Sequence, residues 1–258
     1  MNSSPSPWRA LGGIWRLTIR PFLRPAHWLT VAAMVAILAL LSIPTLMHAG
    51  GDPRQLHLRW LTHLDNFYLT FLIPIIAFIS GAGALRDDLK PGSVDYLFTR
   101  PVRRWTYVWL KYLAQLACIQ GGYLLALGVL IGLGMSRHVP GLLPAVPLLL
   151  LAQVLMTAVF TAFGFLCAIL TSRYIVIGLF YAFIVEVGIG RIPTELNRLS
   201  MTHDVRAMLE GLGSAPTLPG PGALVVTGTL LGMSAIMVAA TAVIFSFKEL
   251  AGGKPSDG

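Results

Sequence analysis

Apolar residues in this chain do not alternate with polar ones. They gather into continuous runs, separated by polar segments that hold nearly all of the charge. A helix needs about 18 or more apolar residues to cross a hydrocarbon core of ~30 Å. The strands of a membrane barrel would instead alternate over segments of ~10 residues. The pattern therefore predicts an all-α membrane protein with six transmembrane helices: Trp28–Met47, Phe67–Leu85, Thr106–Gly134, Leu142–Leu170, Tyr174–Gly190 and Ala223–Phe247. At about 1.5 Å per residue the third is longer than a membrane requires, which assigns Trp105, Tyr107, Trp109 and Tyr112 to a headgroup belt at its start. Gly128 and Gly132 form a GxxxG pair, a spacing that permits close helix approach but that a Gly-rich span also produces by chance.

Ahead of the first run, residues 1–27 follow another period. Trp8, Leu11, Trp15, Ile19 and Phe22 recur at helical spacing, with Arg9, Arg16 and Arg20 on a different face. One aromatic-apolar side and one basic side describe an amphipathic helix lying in the membrane interface. Pro21 and Pro25 end it before the first span. A long leader bearing arginines, with no small-x-small site ahead of Gly50, argues against a cleaved signal peptide.

Composition strengthens the membrane reading. Of 258 residues, 55% are hydrophobic and only 12% charged, where a soluble chain carries about a quarter charged. The net charge of +8 could suit nucleic acid, but its distribution points to lipid. With the N-terminus inside, thirteen Lys and Arg fall in inner segments and six in outer ones. That bias places both termini in the cytoplasm of an inner-membrane protein, with membrane lipids and no nucleic acid as partners. Residues 86–105 and the tail 248–258 are then cytoplasmic, and 191–222 form an outer segment. Pro193–Leu209 within it reads as an amphipathic helix, with Leu196, Leu199, Val205, Met208 and Leu209 apolar.

Chemistry is sparse. Cys118 and Cys167 lie inside spans and suggest packing rather than disulfides. Gly252-Gly253-Lys254 lacks the remainder of a P-loop, so any ATPase is another chain. His48, His57 and His63 with Met47, and Met201, His203 and Met208, supply soft ligands, but their spacings define no metal site. His63 and Asp65 are neighbours without a catalytic frame, and no enzyme is expected. Glu186 is the one acid well inside a span; it either lines a path or snorkels outward to Arg191. Gln115, Gln120, Gln153, Thr157 and Thr161 suit interhelical hydrogen bonds.

The most patterned segment is the loop between the second and third runs, DLKPGSVDYLFTRPVRRWTYVWLK, from Asp88 to Lys111. Pro91-Gly92-Ser93 breaks one helix and starts another, with Ser93 as N-cap and Asp95 in the first turn. Tyr96, Leu97 and Phe98 form an apolar tip, closed by Pro101 and followed by Arg103 and Arg104. A short capped helix with an apolar tip between two rigid spans is suited to docking a cytosolic partner.

This loop resembles that of the ABC-2 permeases of ABC exporters, whose pattern runs Glu, three residues, Gly-Thr, an acidic-apolar helix, Pro-x-Ser-Arg, then Gly-Lys. Asp88 stands for the Glu, Gly92-Ser93 for Gly-Thr, Asp95 for the helix acid, Pro101 and Arg104 for Pro and Arg, and Lys111 for the Lys. Departures are Asp88, Ser93, Arg103 in place of Ser and Leu110 in place of Gly. The layout of leader, six spans and large outer segment is similar as well, most of all to the permeases of nitrous-oxide-reductase maturation and gliding motility. The resemblance implies a permease that dimerises with a second copy or a homologous permease. It implies an ABC ATPase docked at a coupling helix in residues 86–105, ATP and magnesium bound on that ATPase, and no cofactor on this chain. It also places spans 1, 2 and 5, with Glu186, along the translocation path. The rival readings are an ATP-independent secondary transporter, a membrane-embedded enzyme using the outer histidines, and a non-transporting anchor or regulatory subunit.

Overall fold

In a computed structural model, residues 25–47, 53–89, 104–181, 200–210 and 221–247 are described, and everything below concerns these. Their elements are helices, with no strand among them: α1 Pro25–Met47, α2 Pro53–His63, a π-helical segment Leu64–Leu72, α3 Ile73–Asp88, α4 Arg104–Ser136, α5 Leu142–Leu170, α6 Tyr174–Tyr181, α7 Met201–Glu210 and α8 Pro221–Phe247. Four helices among the described residues are long and apolar enough to cross a membrane: Arg54–Asp88, Arg104–Ser136, Leu142–Leu170 and Ala223–Phe247.

The first of these joins α2, the π segment and α3 into one rod. Hydropathy alone starts a span at Phe67, because Arg54, His57, Arg59, His63 and Asp65 dilute the preceding residues. The helix nevertheless begins at Pro53, since Trp60 and Leu64 sit one turn apart and are both fully buried. The π segment ends at Leu72, two residues before Pro74 in the first turn of α3. A proline lacks the N–H for the helical ladder and crowds the carbonyl one turn back, and the wider π turn accommodates both defects.

α5 is the central helix, packed along α3 and α8 and touched by α4, α6 and α7. Its seam with α3 is unusually close. A Cβ on Gly81 would lie 2.7 Å from the Thr161 carbonyl oxygen, and one on Gly164 would strike the Phe78 carbonyl and lie 2.9 Å from the Ala82 nitrogen. Small residues at such a seam let two backbones approach, which supplies dispersion contacts where lipid offers no hydrophobic drive. Gly128 and Gly132 of α4, and Gly228 and Gly232 of α8, have no such neighbour.

Buried hydroxyls cross-link the rod to its neighbours. Tyr68, in the π segment, lies 2.8 Å from both the Tyr123 carbonyl on α4 and Gln153 Oε1 on α5. Tyr123 donates in turn to the Ile73 carbonyl, 3.1 Å away, and Gln115 donates to the Ser80 carbonyl at 3.3 Å. Gln153 and Gln115 thus join helices as expected. Thr157 bonds within its own helix, to the Gln153 carbonyl, while Thr161 and Gln120 have no hydrogen-bond partner for their side chains.

Between α4 and α5 the chain turns in a few residues. The Val139 and His138 amides return to the Gly134 and Met135 carbonyls at 3.0 Å each, and His138 takes the left-handed φ of 54°. That pair of bonds is a Schellman motif, sealed by the buried Val139.

Candidate functional site

The patterned loop emerges from the C-terminus of α3 and re-enters at the N-terminus of α4. α3 stops where the Leu89 amide turns back to the Arg86 carbonyl at 3.1 Å, just ahead of Pro91 in the sequence. α4 restarts at Arg104. The two ends are locked to each other. Lys111 Nζ lies 2.8 Å from Asp88 Oδ2, and the Tyr107 hydroxyl donates to the same oxygen. Tyr107 and Lys111 are one α-turn apart, so both project from one face of α4 onto the acid. The side chains of Lys111 and Asp88 are only 12% and 22% exposed. An ion pair in that setting is held more firmly than an exposed pair worth ~0–1 kcal/mol, and hydrogen bonds to a charged group contribute about 1.5–3 kcal/mol.

A third helix closes the same end. Arg104 Nη1 donates to the Ser246 carbonyl at 3.0 Å, filling one of the acceptors that the last turn of α8 leaves open. Tyr107 stacks on Phe245 at 6.1 Å between centroids. The ends of α3, α4 and α8 therefore form one clamp at the base of the loop.

Of the loop residues singled out from sequence, Asp88 and Arg104 are in this clamp, as is Lys111. Gly92, Ser93, Asp95, Tyr96, Leu97, Phe98, Pro101 and Arg103 lie outside the described residues, and so do Glu186 and the leader residues Trp8, Arg9, Trp15, Arg16 and Arg20. The expected headgroup belt divides in two. Trp105 is exposed, whereas Tyr107 and Tyr112 are buried, Tyr112 donating to the Ala158 carbonyl at 3.0 Å. Treating the four aromatics as one belt missed Tyr107; its spacing of four from Lys111 was the available signal.

His63 and Asp65, neighbours in sequence, have different partners. His63 Nε2 is 2.9 Å from Ser42 Oγ on α1, while Asp65 faces Arg206 of α7. They do not form a joint acid–base pair.

A family model, ABC-2 family transporter protein, matches residues 28–250. The chain belongs to the ABC-2 family. None of the curated proteins matches it. This ABC-2 permease is a multi-pass membrane component of a transporter, of a family that is not itself catalytic. The matched region runs from α1 through α8 and takes in the whole clamp.

Proposed function

We propose that the chain is the permease subunit of an ATP-driven exporter, that it works as a dimer with a second copy or a homologous permease, and that a separate ABC ATPase docks on residues 86–105. The clamp of Asp88, Lys111 and Tyr107 carries this reading. A loop that transmits force must be tied to the spans on both sides. Here both of its ends are joined by a part-buried ion pair, so displacement of the loop reaches α3 and α4 together. A passive connector would need no such tie.

In this reading the Asp88 end is cytoplasmic and both termini share that side, as the basic residues favour, and the membrane is the inner one. Six spans cross it, with the leader helix in the interface. ATP and magnesium bind the ATPase, whose closure pushes the tip Tyr96-Leu97-Phe98. Ser93 and Asp95 cap the coupling helix, and Gly92 provides its entry turn. Arg103 holds the loop to anionic headgroups, and Arg104 to α8. Glu186 faces the path between the two permeases.

The test is capture of the cognate ATPase by detergent-solubilised variants, alongside ATP hydrolysis in reconstituted complex. Tyr96→Ala and Phe98→Ala remove buried anchors and should weaken capture more than Asp95→Asn, a rim charge. Lys111→Met should leave capture intact and lower coupled hydrolysis. Full capture and coupling in all three loop variants would falsify the docking role.

A further inference from the structure

The rod that ends in the clamp carries a second tie partway along, in its π segment. Arg206 Nη2 donates to Asn66 Oδ1 at 3.1 Å, and its Nε lies 3.5 Å from Asp65 Oδ2, an ion contact rather than an aligned hydrogen bond. Both acceptors belong to the π segment, and Thr70 Oγ1 approaches the other Asp65 oxygen at 3.5 Å. The cation belongs to α7, a ten-residue helix. Ser200 caps that helix, accepting from the His203 amide at 3.2 Å. Its apolar face, Met201, Val205, Met208 and Leu209, is buried in the main core, where α7 meets α5, α8 and the π segment.

We infer that Arg206 is a positioning residue that couples α7 to the Asp88 clamp through the helix running from Asp65 to Asp88. At about 1.5 Å per residue the two ties lie roughly 35 Å apart on one continuous helix. Three observations make that helix a rigid carrier. Its Gly81 backbone is seated against α5, the Tyr68 hydroxyl lies within hydrogen-bond distance of both α4 and α5, and no residue between Asp65 and Asp88 leaves the helical path. A rigid element with a contact at each end is one physical carrier of coupling between distant sites. The apolar face of α7 would hold it on the bundle without Arg206. The ionic tie adds a fixed relation to the rod, and therefore to whatever moves the clamp. This rests on the proposed role of the loop for its driving force, but not for its test.

The experiment is hydrogen exchange of residues 200–210 in the full chain reconstituted in lipid nanodiscs, with no ATPase present. Arg206→Gln should raise exchange there by about fivefold or more, the lower end of ordinary coupling between sites. Lys111→Met, at the far end of the rod, should raise it in the same residues, and Lys111→Arg, which keeps the charge, should restore protection. Arg173→Gln, in the exposed turn before α6, should leave it unchanged. The double variant Asp65→Arg with Arg206→Asp should recover protection lost in either single variant. If Lys111→Met leaves residues 200–210 at the parental rate while Arg206→Gln raises it, Arg206 is a local brace and the coupling is refuted. If Arg206→Gln itself changes nothing, the tie is refuted as well. Neither outcome depends on ATPase capture, so failure here and failure of the docking role are separable.

Discussion

The seam between α3 and α5 and the outward face of α4 use the same small residue to opposite ends. At the seam, Gly81 and Gly164 bring two backbones to contact distance. On α4, Gly128 and Gly132 carry the spacing usually read as a packing motif, yet a Cβ at either would meet open space. Glycine spacing only permits close approach. A facing surface of matching shape decides whether it occurs, and among the described residues α5 provides one for α3 and nothing provides one for that face of α4. The rigid seam lies under the clamp, so the part of the molecule suited to transmitting movement is also the part whose glycines are costly to replace.

The contrast can be broken most forcefully at Gly164. Gly164→Val would drive side-chain atoms into the Phe78 carbonyl and the Ala82 amide, backbone atoms that cannot rotate aside. The expected loss is about 3 kcal/mol or more, at the upper end of overpacking costs, read as a lower midpoint in SDS-titrated unfolding. Gly81→Ala should cost less, about 1–2 kcal/mol by the same measurement, because the Thr161 Cγ2 at 3.1 Å can turn but its carbonyl at 2.7 Å cannot.

Tyr68→Phe probes the polar side of the same rigid unit. It removes the donor between Tyr123 and Gln153 and should cost about 1 kcal/mol, the size of one intramembrane hydrogen bond. An unchanged midpoint would mean that apolar packing holds the π segment to α4 and α5 without this hydroxyl. The smallest effect belongs to the other face. Gly128→Ala and Gly132→Ala should shift the midpoint by no more than ~0.5 kcal/mol, and upward if anything, because alanine is the better helix former. A clear loss of stability there, accompanied by a change in oligomeric state, would show that this face packs against another copy and would end the contrast.

Much of the molecule was legible from the order of residues. Long apolar runs dictate helices in lipid because an unpaired backbone amide there costs several kcal/mol. For that reason the stretches 106–134, 142–170 and 223–247 fall within α4, α5 and α8. The loop motif likewise marked Asp88, Arg104 and Lys111 by type and spacing before any geometry was known. Hydropathy failed where polar and apolar positions share one helix: Arg54, His57 and Arg59 hid the first turns of the rod, although Trp60 and Leu64 are fully buried there.

What the sequence by itself determined was the solvent each segment requires and the residues able to make charged contacts. Only the tertiary structure decided the partners: that Lys111 and Tyr107 meet on one Asp88 oxygen, that Arg206 reaches the π segment, and that Gly81 and Gly164, rather than Gly128 and Gly132, bring two helix backbones together. The physical reason is that transfer into lipid is a property of each segment taken alone and can be summed along the chain. A salt bridge or a backbone contact is a property of two surfaces that become neighbours only when the helices pack.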